Sequence, residues 1–354
     1  MNRKIMMSKN PLNVYVYKDD IEIIKKSGIG KSTANQINIH NLMAEKATGI
    51  SVNKKSLHNS DVVHINSVFP RDVRLALNAR LHGIKIIYHG HSTKEDFMNS
   101  FRGSGLYAPF FKIWIMFCYS LGDVIVTPTE YSKKILKSYG IKRPITAISN
   151  GIDTDYWKRS ITIHTDARNA FFHKYGIPSD KKVIMSVGHY MERKGFSEFC
   201  SLARKNPGIA FIWFGYTTPD IRSESIKRTF ENIPENMHLP GFIAGDDLKK
   251  AYEYCDLFLF MSHEETEGIV VLEAMAMETP MIVRDIPAYN GWLKNNINTY
   301  MFRTRKELQK LIPYVLSHDN RKITANARKS ACMKDFKHIG EKYRKLYEKM
   351  NLLQ

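Results

Sequence analysis

The chain predicts an α/β protein with two doubly wound parallel-sheet domains. Short apolar runs alternate with helical stretches from residue 12 onward, the rhythm of strand, crossover helix and next parallel strand. One polar, charged stretch over residues 154–167 interrupts that rhythm, just after the turn signal Asn150-Gly151. At 354 residues the chain is long enough for each half to bury its own core.

The elements follow in order. Residues 12–17 (LNVYVY) alternate as a first strand, and the glycine-rich SGIGKS of residues 27–32 leads to a helix over 33–47. Strands at 62–65 and 84–88 flank a helix at 71–82. A helix at 109–121, a strand at 124–127, a basic helix at 132–139 and a strand at 145–148 complete the first half. The second half restarts with a strand at 183–187, a helix at 196–205, a strand at 209–214, a short strand at 237–239 and a helix at 246–254. Residues 256–284 then give a strand, an acidic turn, a helix and another strand after Pro280, and helices fill 306–317 and 323–349. The first domain is placed at residues 1–160 and the second at 161–335.

Composition narrows the function classes. Hydrophobic residues make up 43% of the chain and aromatics 11%, which fits packed cores and excludes disorder. The longest uncharged apolar run, residues 113–122, is too short to span a bilayer. The N-terminal MNRKIMMSKN has no apolar segment behind its charges, so no secretory signal is expected. The four cysteines are far apart and unpatterned, so neither zinc nor a disulfide framework is expected. The net charge is +18, and residues 1–150 hold 22 Lys+Arg against 10 Asp+Glu. That surplus implies an anionic partner. The basic residues interleave with Phe101, Phe110, Phe111, Trp114 and Phe117, which points to an anionic membrane surface. No helix-turn-helix, RNP-type or zinc-finger pattern supports nucleic acid as the partner.

The chemistry concentrates in residues 256–284, DLFLFMSHEETEGIVVLEAMAMETPMIVR. Glu265 falls on a loop beside a helix mouth, and Glu273, with seven residues between, falls in the opening turns of that helix. Free N–H groups near Thr266, Glu267, Gly268 and Ile269 can hold a phosphate, and Glu273 can accept from sugar hydroxyls. Other strand ends add candidates. His89 and His91 can bond a hydroxyl or phosphate, and no third metal ligand is near them. Thr129 caps the basic helix, with Glu130 beside it. Gly188, Arg193 and Lys194 follow the strand at 183–187, where the two cations can neutralise a diphosphate. Gly28 and Gly30 allow close backbone approach, but Lys25 stands where a P-loop needs its first glycine. Asp153-Thr154-Asp155 spells a metal-binding D-x-D, yet the preceding Asn-Gly turn gives Asp153 a capping role instead. Lys94, Glu95 and Asp96 read as a solvated charge run. Glu278 disfavours a positive φ before Thr279-Pro280, so the turn there is built differently or needs none.

Taken together, these motifs resemble the retaining glycosyltransferases of family 4. The spellings EETEGIVVLEA and RDIPAYNGW are similar to the bacterial glycolipid synthases that glycosylate diacylglycerol or its monoglycosyl derivative. The resemblance covers nearly the whole chain and is strongest over residues 183–298. It implies the GT-B fold, two Rossmann-like domains facing a cleft, with the C-terminal helix of residues 336–354 crossing back to the first. It implies a UDP-hexose, of glucose or galactose, as co-substrate, with no cofactor and no metal. On the same resemblance Glu265 and His91 are the catalytic positions, with Glu265 near the transferred sugar. Gly188, Arg193, Lys194, Thr266, Glu267, Gly268, Ile269 and Glu273 hold the donor, and Gly28, Gly30, His89, Thr129 and Glu130 line the acceptor side. Two positions depart from the family: Gly188-His189-Tyr190 replaces Gly-Arg-Leu, and Glu278 replaces a glycine. The expected place is cytoplasmic, held peripherally on the inner face of the cell membrane beside a lipid acceptor. An enzyme of capsular or polyprenyl-linked glycan synthesis shares the donor residues, and a basic nucleic-acid-binding protein is the alternative from another class.

Overall fold

The computed structural model describes residues 11–18, 27–46, 49–53 and 56–353. The N-terminal segment and Lys25, used above for the signal and P-loop readings, lie outside them. The first domain runs β1 (Leu12–Val16), α1 (Gly28–Glu45), β2 (Ile50–Val52), β3 (Val62–Ile65), α2 (Pro70–Leu81), β4 (Lys85–His89), α3 (Lys94–Phe97), α4 (Ser104–Ser120), β5 (Val124–Thr127), α5 (Glu130–Ser138) and β6 (Ile145–Ala147). The second runs α6 (Thr165–His173), β7 (Val183–Val187), α7 (Phe196–Arg204), β8 (Ala210–Phe214), α8 (Glu224–Glu231), β9 (Met237–Gly241), α9 (Gly245–Tyr254), β10 (Leu257–Phe260), α10 (Ile269–Ala276), β11 (Met281–Arg284) and β12 (Tyr300–Phe302). Three helices close the chain: α11 (Arg305–Ser317), α12 (Arg321–Cys332) and α13 (Phe336–Lys349).

Two six-stranded sheets result, ordered β2-β1-β3-β4-β5-β6 and β12-β11-β10-β7-β8-β9, and the paired strands are parallel. Central strands such as VVHI and LFLF are buried along their whole length, as strands covered by helices on both faces must be. Strand order reverses between β1 and β3 and between β7 and β10. Crevices for ligands open at the carboxyl ends of such strands.

Several elements differ from the sequence expectation. The helix expected from residue 33 begins at Gly28, because Ser27 caps it by accepting from Gly30 N at 3.4 Å. Gly28 and Gly30 therefore form a first helical turn and not a loop. The α4 helix starts at Ser104, after Gly103 with φ 76°, and carries Pro109 inside it. The tail of the polar stretch folds as α6, which buries Phe171 and Phe172. The helix expected over 323–349 breaks around Lys334 and Asp335. There Ile152 N donates to Lys334 O at 3.0 Å and Phe336 N to Ile152 O at 3.2 Å. Asp335 then caps α13 through Lys337 N. The apolar face of α13, with Phe336, Ile339, Tyr343, Leu346 and Tyr347, packs with Leu12, Val14, Ile39 and Met43 of the first domain. Glu278 does take a positive φ, 53°. It closes α10 with bonds from Glu278 N to Met275 O and from Thr279 N to Ala274 O, a turn that glycine forms without strain.

Candidate active site

The switch point of the second sheet gathers most of the donor-side candidates. Gly188 follows β7 with φ 151°, and its carbonyl accepts from Trp213 Nε1 at 2.7 Å. A side chain at neighbouring Gly215 would place its Cβ 1.8 Å from that carbonyl oxygen, so the two strand ends touch through backbone alone. Lys194 lies 2.5 Å from Glu265 Oε1. Burial raises the Glu265 pKa, but Lys194 and Arg193 outweigh it and hold the carboxyl below its ordinary value. Gly268, with φ 85°, is the N-cap of α10. The unbonded N–H groups of a helix start gather there, a favourable seat for an anion. Ile269 is buried in that first turn.

Arg193 spans the cleft. It donates to Ser100 Oγ at 2.9 Å, pairs with Asp96 at 2.9 Å, and donates to the Glu264 carbonyl at 2.8 Å. Its backbone N–H donates to Asn99 O at 3.2 Å. Asp96 is thus no solvated charge: it faces the second domain, and burial, only partly offset by Arg193, raises its pKa. Glu273 accepts from Tyr252 OH at 3.1 Å and pairs with Lys31 of α1 at 3.3 Å. Burial outweighs Lys31 and raises the pKa of Glu273. The cations and carboxylates of the cleft therefore satisfy one another.

Other candidates take different roles. Glu267 is fully buried and accepts from Ser149 Oγ, Asn150 N, Asn150 Nδ2 and Lys334 Nζ, at 2.5, 2.9, 2.9 and 2.9 Å. Its carboxylate ties the two interdomain crossings and is not open to the donor. Glu130 is exposed and pairs with Lys133, away from the cleft contacts, whereas Thr129 Oγ1 donates to Thr266 O at 2.8 Å across the domains. Asp153 Oδ1 accepts from Asp155 N and Tyr156 N, and Asp155 pairs with Lys337. His91 Nε2 lies 2.9 Å from Asn66 Oδ1 and 3.3 Å from Ser32 Oγ, and burial lowers its pKa to about 4. His89 bonds His64 and Gln36 in the interior.

No residue pattern signals a set of buried, unpartnered polar atoms: Ser186 Oγ in β7, Thr217 Oγ1 after β8, Glu264 Oε1 after β10 and Tyr289 OH after β11. All four lie at or beyond the carboxyl ends of second-sheet strands. Buried polar atoms ordinarily have partners, so these are available to a polar ligand. Burial pushes the Glu264 carboxyl up to about 7, although Tyr131 OH donates to it at 3.0 Å.

The aromatic stretch divides into two faces. Phe111 stacks on Phe97 at 4.1 Å and Trp114 Nε1 donates to Val68 O, so both pack inward. Leu106, Phe110, Ile113 and Phe117 are 75, 71, 67 and 47% exposed. They follow one another at spacings of three or four, which is one helix face. Among the described residues no helix is long and apolar enough to cross a membrane.

Comparison with known proteins agrees with this geometry. Residues 167–330 match the model for glycosyl transferases group 1, and residues 47–156 that for glycosyltransferase family 4. The processive diacylglycerol alpha-glucosyltransferase of Acholeplasma laidlawii is 34% identical over 96% of this chain and 98% of its own. The alpha-galactosylglucosyldiacylglycerol synthase of Streptococcus pneumoniae is 26% identical over 83% of this chain and 75% of its own. Among solved structures, Anabaena HepE in complex with UDP-glucose superposes with a TM-score of 0.73 at 15% identity, over 95% of this chain and 99% of that one. Two parallel sheets with a cleft at their carboxyl ends, and a relative matched almost end to end, lead to one assignment: this chain belongs to the family 4, group 1 glycosyltransferases and has their GT-B fold.

Proposed function

We propose that this glycosyltransferase moves a hexose from a UDP-sugar to a diacylglycerol-type lipid, retaining anomeric configuration and needing no metal. It works at the cytoplasmic face of the cell membrane. The observation that carries the reading is the placing of Arg193 and Lys194 beside the α10 N-terminus, at the switch point of the second sheet. The near full-length similarity to a diacylglycerol glucosyltransferase supports the acceptor class. A diphosphate entering there takes Arg193 from Asp96 and Lys194 from Glu265, exchanging carboxylates for an anion of higher charge. Glu273 exchanges Lys31 for the ribose hydroxyls. Glu265, once released, offers negative charge beside a sugar that becomes oxocarbenium-like, and the helix N-terminus stabilises the leaving diphosphate. The anomeric C–O bond to phosphate breaks as the bond to the acceptor oxygen forms on the same face. The acceptor's proton passes to the departing phosphate. The exposed face of α4 rests on the bilayer and the basic first domain favours anionic lipid.

The test is thin-layer analysis of lipid products from UDP-glucose or UDP-galactose, with diacylglycerol or monoglucosyldiacylglycerol in vesicles, with and without EDTA. A glycolipid that still forms after chelation is expected. No product from any combination sinks the acceptor assignment, and loss on chelation restored by Mn²⁺ sinks metal independence.

A further inference from the structure

Two side chains beyond the carboxyl ends of β10 and β11 each keep a buried polar atom without a partner. Glu264 follows β10, and its main chain is held twice: its carbonyl accepts from Arg193 Nη1 at 2.8 Å and from Ser262 Oγ at 3.1 Å. Its carboxylate reaches the first domain, where Tyr131 OH donates to Oε2 at 3.0 Å. Tyr131 stands on α5, whose cap Thr129 donates to the Thr266 carbonyl at 2.8 Å. The start of α5 therefore grips the 264–266 loop at two points. Oε2 is fixed, and the other oxygen, Oε1, is buried with no hydrogen-bond partner among the described residues.

Tyr289 ends a short turn, Pro287–Tyr289, after β11. Its ring stands edge-on to Trp292 at 5.5 Å, and the residue is 1% exposed. Its hydroxyl lies 3.5 Å from the point that a Cβ on Gly268, the N-cap of α10, would occupy. That hydroxyl also has no hydrogen-bond partner among the described residues. Tyr131 and Tyr289 pack in one apolar cluster. Burial, then Glu265 and Glu264, push up the pKa of Tyr289, so both carboxylates act on this hydroxyl.

The needs of these atoms narrow the ligand. A buried carboxylate oxygen costs free energy until something donates to it. A diphosphate has no proton to give at neutral pH and is repelled by Glu264. Arg193 and Lys194 already pair with Asp96 and Glu265. A hydroxyl both donates and accepts, and a hexose carries several on one rigid ring. It can donate to Glu264 and accept from Tyr289 together. Diacylglycerol offers a single hydroxyl, and that one must face the anomeric carbon.

We propose that Glu264 and Tyr289 are specificity-determining residues for the transferred hexose: one sugar hydroxyl donates to Glu264 Oε1, and a sugar oxygen accepts from the Tyr289 hydroxyl. Because Tyr131 holds Glu264 from the other side, both domains take part in reading the sugar. The proposal rests on the UDP-sugar reading of the site.

Calorimetry with UDP and with UDP-glucose, on the full-length protein and without lipid, tests it. At pH 8 the Glu264 carboxyl, which burial pushes up to about 7, is chiefly ionised and accepts. The ratio of the two Kd values cancels what uridine and diphosphate contribute. Tyr289→Phe should raise the Kd for UDP-glucose about tenfold, the worth of one neutral hydrogen bond, and leave that for UDP unchanged. Glu264→Ala should raise it about tenfold to a hundredfold, since this acceptor is charged. UDP should bind that variant no more weakly, because a repelling carboxylate is gone. Ligand-free Tyr289→Phe should melt no lower than wild type, as the lost hydroxyl bonds nothing there. An unchanged ratio in either folded variant, or an equal loss for UDP, overturns the assignment and leaves the UDP-sugar reading standing. A lower melting temperature for Tyr289→Phe overturns it too, since the hydroxyl then already has a partner. A wild type that binds neither nucleotide overturns the UDP-sugar reading itself, and the assignment with it.

Discussion

Glu265 and Glu273 look like a matched pair in the sequence, yet the fold gives them opposite environments. Cations win at Glu265 and burial wins at Glu273, so the first carboxyl is held below its ordinary pKa and the second above it. Glu273→Ala should weaken UDP binding by about 1–3 kcal/mol, the value of a hydrogen bond to a charged group. Unchanged calorimetric affinity in a folded variant would refute its ribose role. Glu264 makes a pH prediction. Its folded pKa, about 7, lies above the ordinary value of 4.5. Its contribution to stability is therefore full below 4.5 and lost as pH rises through 7. Glu264→Gln has no such loss, so its denaturation midpoint should gain on wild type between pH 5 and pH 8; a midpoint that keeps a constant offset from wild type, or falls behind it, as pH rises would contradict the burial argument. Glu278, at φ 53°, stores strain of the kind that costs a non-glycine residue roughly 1–2 kcal/mol. Glu278→Gly should then stabilise by about 0.5–1 kcal/mol after the entropic cost of glycine; urea melts showing destabilisation would mean that the Glu278 side chain contributes more than the strain costs. The sequence could show which residues stand at strand ends, but not that Asp96 or Glu267 would be met by partners 67 to 118 residues away in the chain.

Elements were legible where they were long or strongly apolar. The strands at 62–65, 124–127 and 183–187 occupy the residues that their apolar runs indicate. The three-residue β2 and β12 are too short for alternation to register, and their place is set by pairing with β1 and β11. The α4 helix shows the limit of composition: its aromatics could be counted, but their facing depends on what packs behind it. Phe110 and Phe117 look outward, while Phe111 and Trp114 look in. Replacing Leu106, Phe110, Ile113 and Phe117 with Ser should leave the fold and UDP affinity intact and reduce binding to anionic vesicles at least several-fold, as expected from losing apolar contact area. Flotation assays that show undiminished binding would leave the basic residues as the membrane contact. The same change at Phe111 and Trp114 should instead lower the melting temperature.

At the scale of the molecule, Glu267 joins the halves. Its carboxylate meets Ser149 and Asn150 on one crossing and Lys334 on the other, with no exposure to water. Removing one member of a buried charge pair commonly costs about 3–5 kcal/mol. Glu267→Ala should lose stability on that order and split a single calorimetric transition into two, one for each domain. A single transition at an unchanged temperature would show that the halves are coupled elsewhere. The two-sheet architecture was legible from the strand-and-helix alternation. This junction was not, because Glu267 sits inside the very motif that suggests donor contact.

The chain passes between the domains twice, near Ile152 and near Asp335, and the two passes lie parallel and bonded to each other. A door on one pin swings in any plane, whereas a door on two keeps to a single arc. Parting Arg193 from Asp96 therefore moves Lys31 off Glu273 and Thr129 off Thr266 in the same sweep. Any opening of the cleft is thereby confined to one arc.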